Sequence, residues 1–188
     1  MRKWMLRLTY YLLRLTPYAL RITYYVLRIT PYAQEVNLVL EQTLIILKPD
    51  AVQRGLVGEI LGRLERRGLK VVGMKMQPVS ADLAQEHYAE HVGKPFYNGL
   101  IEYITSSPVV VLVLEGKGAV AVSRSTIGAT NPATAAPGTI RADLAVETGR
   151  NLIHGSADPT AAVREVGLWF QPQELTSWPR DTDRWISE

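Results

Sequence analysis

The stretch Pro108-Val109-Val110-Val111-Leu112-Val113-Leu114-Glu115 constrains the fold more than any other part of the chain. Alternate side chains of a strand point to opposite faces, so an apolar, β-branched run with no polar alternation has no face to give to water. It predicts a central strand. A second run, Thr43-Leu44-Ile45-Ile46-Leu47, has the length of a buried strand and is ended by Pro49. Lys48 then stands at the C-terminal end of that strand, where sheets present groups to ligands.

Between and after these runs the punctuation is clear. Val52 to Arg67 has helical spacing (Leu56, Ile60, Leu64) and stops at Gly68, and Leu69 to Val79 alternates as a strand closed by Pro78. Ser80-Ala81-Asp82 is a helix N-cap for a helix running through Tyr88 to His91, and Gly93-Lys94-Pro95-Phe96 leads into another helix that reaches Thr105. A short helix over Ala119 to Ile127 precedes Gly128 to Arg141, a Gly-, Pro-, Ala- and Thr-rich segment whose length marks a functional or disordered loop. A further strand is expected near Leu144 to Val146. The order gives an α+β fold, an antiparallel β-sheet covered by helices.

The first 37 residues of the 188 read differently. From Leu6 to Ala33 a seven-residue unit recurs four times: LRLTYYL, LRLTPYA, LRITYYV, LRITPYA. A helix would stack Arg7, Arg14, Arg21 and Arg28 in a slowly drifting stripe suited to a membrane surface, yet Pro17 and Pro31 break it and the Thr, Tyr, Ile and Val content favours strands. Arginines interrupt every apolar run and no small-residue cleavage site follows, so it is a poor secretory signal. A seven-nucleotide DNA repeat must encode a seven-residue repeat, and TTACGTA repeated translates to residues 20–26. The expectation is therefore a heptad-repeat extension over 1–37, disordered or translated from a start placed too early, followed by one domain over 38–188. N-terminal sequencing from the native locus tests this, and a first residue at Met1 contradicts it.

Charge follows the same division. Six basic side chains against Glu35 give residues 1–36 a net +5, whereas the remainder, with 15 basic and 17 acidic residues, carries −2. The domain has no basic nucleic-acid footprint. There are no cysteines, which excludes disulfides and thiolate zinc sites and is compatible with a reducing cytoplasm.

Neither GxxxxGK[ST] nor GxGxxG occurs, so any nucleotide chemistry proceeds without a P-loop or Rossmann turn. His87-Tyr88-Ala89-Glu90-His91 satisfies the inverted zinc-protease pattern, with both histidines on one helical face, but three fixed residues are weak support and a solvated helix explains them more simply. Asn151-Leu152-Ile153-His154-Gly155-Ser156 sets a histidine between an apolar pair and a glycine. An imidazole there serves as base, ligand or nucleophile, or as a hydrogen-bonded core residue.

Six blocks taken together resemble one family. ILKPDAVQRG (46–55), EHYAEH (86–91), GKPF (93–96), GATNP (128–132), PGTIR (137–141) and NLIHGS (151–156) are similar, in order, to nucleoside diphosphate kinases. The similarity runs from about Leu40 to the end and aligns Leu40-Glu41-Gln42-Thr43 with the family's usual opening, which favours Leu40 as a non-AUG start.

The resemblance implies a ferredoxin-like sheet and transfer of the terminal phosphate of a nucleoside triphosphate, mainly ATP, to a nucleoside diphosphate. It implies a ping-pong route through a phosphohistidine at His154, with Glu165 orienting the imidazole and Ser156 supporting it. Lys48, Arg124 and Arg141 are implied as phosphate-contacting cations, Thr130 and Tyr88 as hydroxyl donors, Asn151 as an amide donor and Phe96 as a stacking platform that tolerates any base. Lys48 and Asn151 would hold the ribose, with both ribo and deoxyribo sugars accepted. Mg²⁺ would arrive with the nucleotide, since no carboxylate cluster suggests a dedicated metal site.

Subunit contacts through 128–141 and the apolar Trp185-Ile186 in the tail imply a homo-oligomer, a homohexamer before a homotetramer. No nucleic acid is implied, nor a membrane unless the extension belongs to the mature chain. The departures are Ala157 where the family usually has Asp, and Ala142 and Leu144 where Gly and Phe are frequent.

Overall fold

A strand without polar alternation needs apolar cover on both faces, and the fold supplies it. The structure, a computed structural model, describes residues 40–186, so the expectations for residues 1–37 lie outside the described residues. Four strands, β1 (Leu40–Leu47), β2 (Lys70–Gln77), β3 (Val109–Lys117) and β4 (Ile153–Gly155), form one antiparallel sheet in the order β2-β3-β1-β4. This is the ferredoxin-like order. β1 and β3 each have a strand on both sides, as the two apolar runs predict.

Alternation divides the core in two. Ile45 and Leu47 of β1 and Val110, Leu112 and Leu114 of β3 point into one apolar cluster, with Ile60 and Leu64 of α2 (Val57–Arg66) and Ile127 of α5 (Ala119–Ile127). Leu44, Ile46, Val109, Val111 and Val113 point into the other, with Ala84 of α3 (Ala81–His87), Ile104 of α4 (Tyr97–Thr105) and Val166 and Trp169 of α7 (Pro159–Trp169). Fully burying one such side chain is worth about 1.5–3 kcal/mol, so these two layers carry most of the stabilisation.

Three sequence expectations are corrected. The helix expected over Val52 to Arg67 is two helices, α1 (Pro49–Gln53) and α2, because Gly55 turns the chain at φ 67° between them. Pro49 ends β1 but opens α1, at a helical position where its missing N–H costs nothing. The helix through Tyr88 to His91 stops at His87, and Ala89–His91 is a 3-10 turn. No strand forms at Leu144 to Val146. Ile140–Leu144 is a helix, α6, Val146 is exposed, and the fourth strand lies at Ile153–Gly155.

Candidate active site

His154 sits in β4 opposite Ile46 of β1, the strand that Lys48 follows. Its Nε2 lies 2.9 Å from Oε2 of Glu165, and the Ser156 hydroxyl donates to the same oxygen at 2.7 Å. Ser156 Oγ also accepts the Leu44 N–H at 3.2 Å, which ties the site to the middle of β1. Glu165 projects from α7, whose start is fixed by Asp158, an N-cap that accepts the Ala161 N–H at 2.8 Å. Glu165 is only 4% exposed. Burial alone would raise its carboxyl, but the hydrogen bond and charge of His154 and the Ser156 hydroxyl outweigh it and hold it at about 2. An ionised carboxylate only accepts, so Nε2 of His154 carries a proton, and in the neutral imidazole Nδ1 is the nitrogen with the lone pair.

A cleft of about 1100 Å³ opens beside this histidine. It brings together Lys48, Tyr88, Phe96, Arg124, Thr130, Arg141, Asn151 and His154, while Glu165 and Ser156 stand behind His154 and do not line it. The Lys48 ammonium donates to Oδ1 of Asn151 at 2.7 Å, and Nδ2 of Asn151 donates to the Thr130 carbonyl at 2.9 Å. Burial, reinforced by the Arg141 charge and partly offset by Asp50, lowers Lys48 to about 8. Arg141 donates to the carbonyls of Asn151 (3.2 Å), Gly128 (3.0 Å) and Ile153 (2.6 Å). Burial and then the Arg124 charge lower it to about 10. Three mutually repelling cations around one cleft favour an anionic ligand.

Tyr88 is a second group suited to a ligand. Its hydroxyl is buried without a hydrogen-bond partner at the cleft wall, and burial pushes the phenol well above its ordinary range, so it stays a donor. Phe96 is 54% exposed, with His91 edge-on at 5.6 Å, which leaves a ring available for stacking.

The zinc-protease pattern does not assemble. His87 ends α3 in the core while His91 lies in the next turn with its Nδ1 3.0 Å from the Lys94 ammonium. Among the described residues, His87, His154 and Glu165 are the one trio spaced for a metal. His87 Nδ1, however, accepts the Trp169 indole N–H at 3.2 Å, so its Nε2 holds the proton and is no ligand. Burial, then the nearby charge of His154, keeps His87 neutral, at about 3. Mg²⁺ wants several hard oxygens, and a lone carboxylate engaged with His154 and Ser156 does not fit it.

Sequence reasoning missed Asp50, which sits in a quoted block without a role, and Tyr103, Thr148 and Arg150 of the cleft wall. Ala157, the departure after Ser156, lines the cleft, and Asp158, the next residue, caps α7.

A family profile for nucleoside diphosphate kinase matches residues 41–175. Curated relatives bearing that name include one from Thermomicrobium roseum, 58% identical over 147 residues (78% of this chain, 99% of the relative). One from Archaeoglobus fulgidus is 53% identical over 149 residues (79% and 99%). Among solved structures, the halophilic nucleoside diphosphate kinase of Halobacterium salinarum in complex with CDP superposes with a TM-score of 0.78 at 50% identity, covering 79% of this chain and 99% of that one. A nucleoside diphosphate kinase family protein from Babesia bovis gives 0.76 at 42% identity, covering 78% and 99%.

Proposed function

This chain belongs to the nucleoside diphosphate kinase family and is a phosphotransferase that acts on nucleotides, and from that premise we propose that His154 carries the phosphoryl group between two nucleotides. The observation that carries the reading is the Glu165 carboxylate on Nε2, which leaves Nδ1 as the nucleophile in a cleft lined by Lys48, Arg124 and Arg141. Nδ1 attacks the γ-phosphorus, the N–P bond forms as the bond to the β,γ-bridging oxygen breaks, and the nucleoside diphosphate leaves with that electron pair. A terminal oxygen of a second nucleoside diphosphate then attacks the same phosphorus and frees Nδ1.

The remaining side chains have roles that their surroundings support. Lys48, Arg124 and Arg141 neutralise charge spread over the phosphoryl oxygens, and Tyr88, Thr130 and Asn151 supply donors. Phe96 stacks on the base without reading its edge, so purines and pyrimidines are both accepted. Mg²⁺ enters with the nucleotide phosphates rather than in a cage of protein carboxylates. The cytoplasm is the compartment this reading assigns, and a homohexamer is its assembly, with Trp185, 78% exposed, among the apolar groups it would cover.

Initial rates measured with ATP against GDP, CDP or dTDP test the two half-reactions. Parallel double-reciprocal lines are expected for every acceptor, and lines that intersect would contradict a covalent intermediate.

A further inference from the structure

Leu152 is the one described residue other than glycine with positive φ, at 69°, and it is fully buried two positions before His154. The Ile153 N–H reaches back to the Asn151 carbonyl at 2.8 Å, so Leu152 is the centre of a γ-turn of the rare, strained kind. The turn does what a regular strand cannot. Strand neighbours face opposite ways and residues three apart do too, yet Leu152 and Ile153 share one apolar cluster while Asn151 and His154 both line the cleft.

Such a conformation persists only where its surroundings over-determine it. Here the strained peptide is gripped from the segment after β1. The Lys48 N–H donates to the Leu152 carbonyl at 2.8 Å, and Oδ2 of Asp50 accepts the Leu152 N–H at 3.1 Å. Oδ1 of Asp50 accepts the Ala51 N–H at 3.0 Å and the Tyr103 hydroxyl at 2.5 Å. The Arg150 guanidinium covers the Tyr103 ring at 4.1 Å. Three hydrogen bonds, two on Oδ1 and one on Oδ2, thus hold that carboxylate in one orientation.

We propose that Asp50 and Tyr103 are positioning residues for phosphoryl transfer, a clamp on the γ-turn that brings Asn151 and His154 into one cleft. The inference rests on His154 being the nucleophile. Asp50→Asn is a sharp probe, because either orientation of the amide sets an N–H against the N–H of Leu152 or of Ala51. Tyr103→Phe keeps shape and charge and removes only the hydroxyl that holds the carboxylate.

The test combines single-turnover phosphorylation of the full chain by ATP, ADP binding, and hydrogen exchange at the Leu152 and Ile153 amides. A loose clamp should slow phosphorylation roughly 10- to 100-fold in Asp50→Asn, and less in Tyr103→Phe, as expected for a small misplacement of a reacting group. ADP affinity should hold or rise, since Asp50→Asn removes a negative charge, and both amides should exchange faster. Phosphorylation at the parental rate in both variants overturns the proposal, as does slowed phosphorylation with unchanged exchange. If Asp50→Asn fails to fold, Tyr103→Phe decides by the same criteria. A parent chain that takes no phosphate from ATP would refute the nucleophile instead, while the exchange measurement still reports on the clamp.

Discussion

Lys48 is where the site's electrostatics are most exposed to experiment. Its ammonium is buried beside Asn151 and lowered to about 8, against 10.5 for a free lysine. The charged form is therefore lost as pH rises through about 8 in the free enzyme, and with it part of the attraction for phosphate. kcat/KM, which reports the free enzyme, should fall above that pH, and Lys48→Ala should lower the plateau and flatten this limb. In stability the sign is opposite. Between about 8 and 10.5 the unfolded chain binds more protons at this group, so its contribution to folding improves as pH rises. Glu165 behaves as a depressed carboxylate: its contribution is present above 4.5 and is lost as pH falls towards about 2. Glu165→Gln should keep the fold and slow phosphorylation of His154 roughly 10- to 100-fold, the usual cost of removing a carboxylate that orients a histidine. An unchanged rate would mean that the imidazole needs no orientation. The motif around His154 was legible because it is continuous in sequence. Asp50 and Tyr103 were not, since their partners lie 102 and 53 residues away and only the folded chain brings them together.

At the level of elements, β1 and β3 could be read directly, because each contains a run, Leu44 to Leu47 and Val109 to Leu114, that is apolar on both faces. β4 could not. It has three residues, and the γ-turn before it places two adjacent side chains in one core cluster, which erases the alternation by which strands are recognised. The early stop of α3 was equally hidden, because the indole that pins His87 comes from α7, 82 residues on. The close approach of α5 to β4 makes a clear prediction. A Cβ at Gly155 would lie 2.7 Å from Cδ1 of Ile127 and 3.3 Å from Cδ1 of Ile45. Gly155→Ala should then destabilise by about 1–3 kcal/mol through overpacking, read as a lower midpoint in urea at unchanged slope. A midpoint equal to the parent's would show that Ile127 can withdraw at no cost.

For the whole molecule, every residue of the proposed site lies among those described. Deleting residues 1–37 should leave nucleotide transfer unchanged, and a large loss of activity would assign the repeat a part in catalysis. Assembly is addressed by native mass spectrometry, with a hexamer expected and a monomer contrary to that reading. The central claim, that the phosphoryl group passes through His154, is tested most directly with ATP labelled in its terminal phosphate. The account predicts acid-labile, base-stable label on the full chain that is discharged by added GDP or CDP, and none on His154→Ala. Label that persists on His154→Ala, or ATP that binds without labelling the parent, would contradict it.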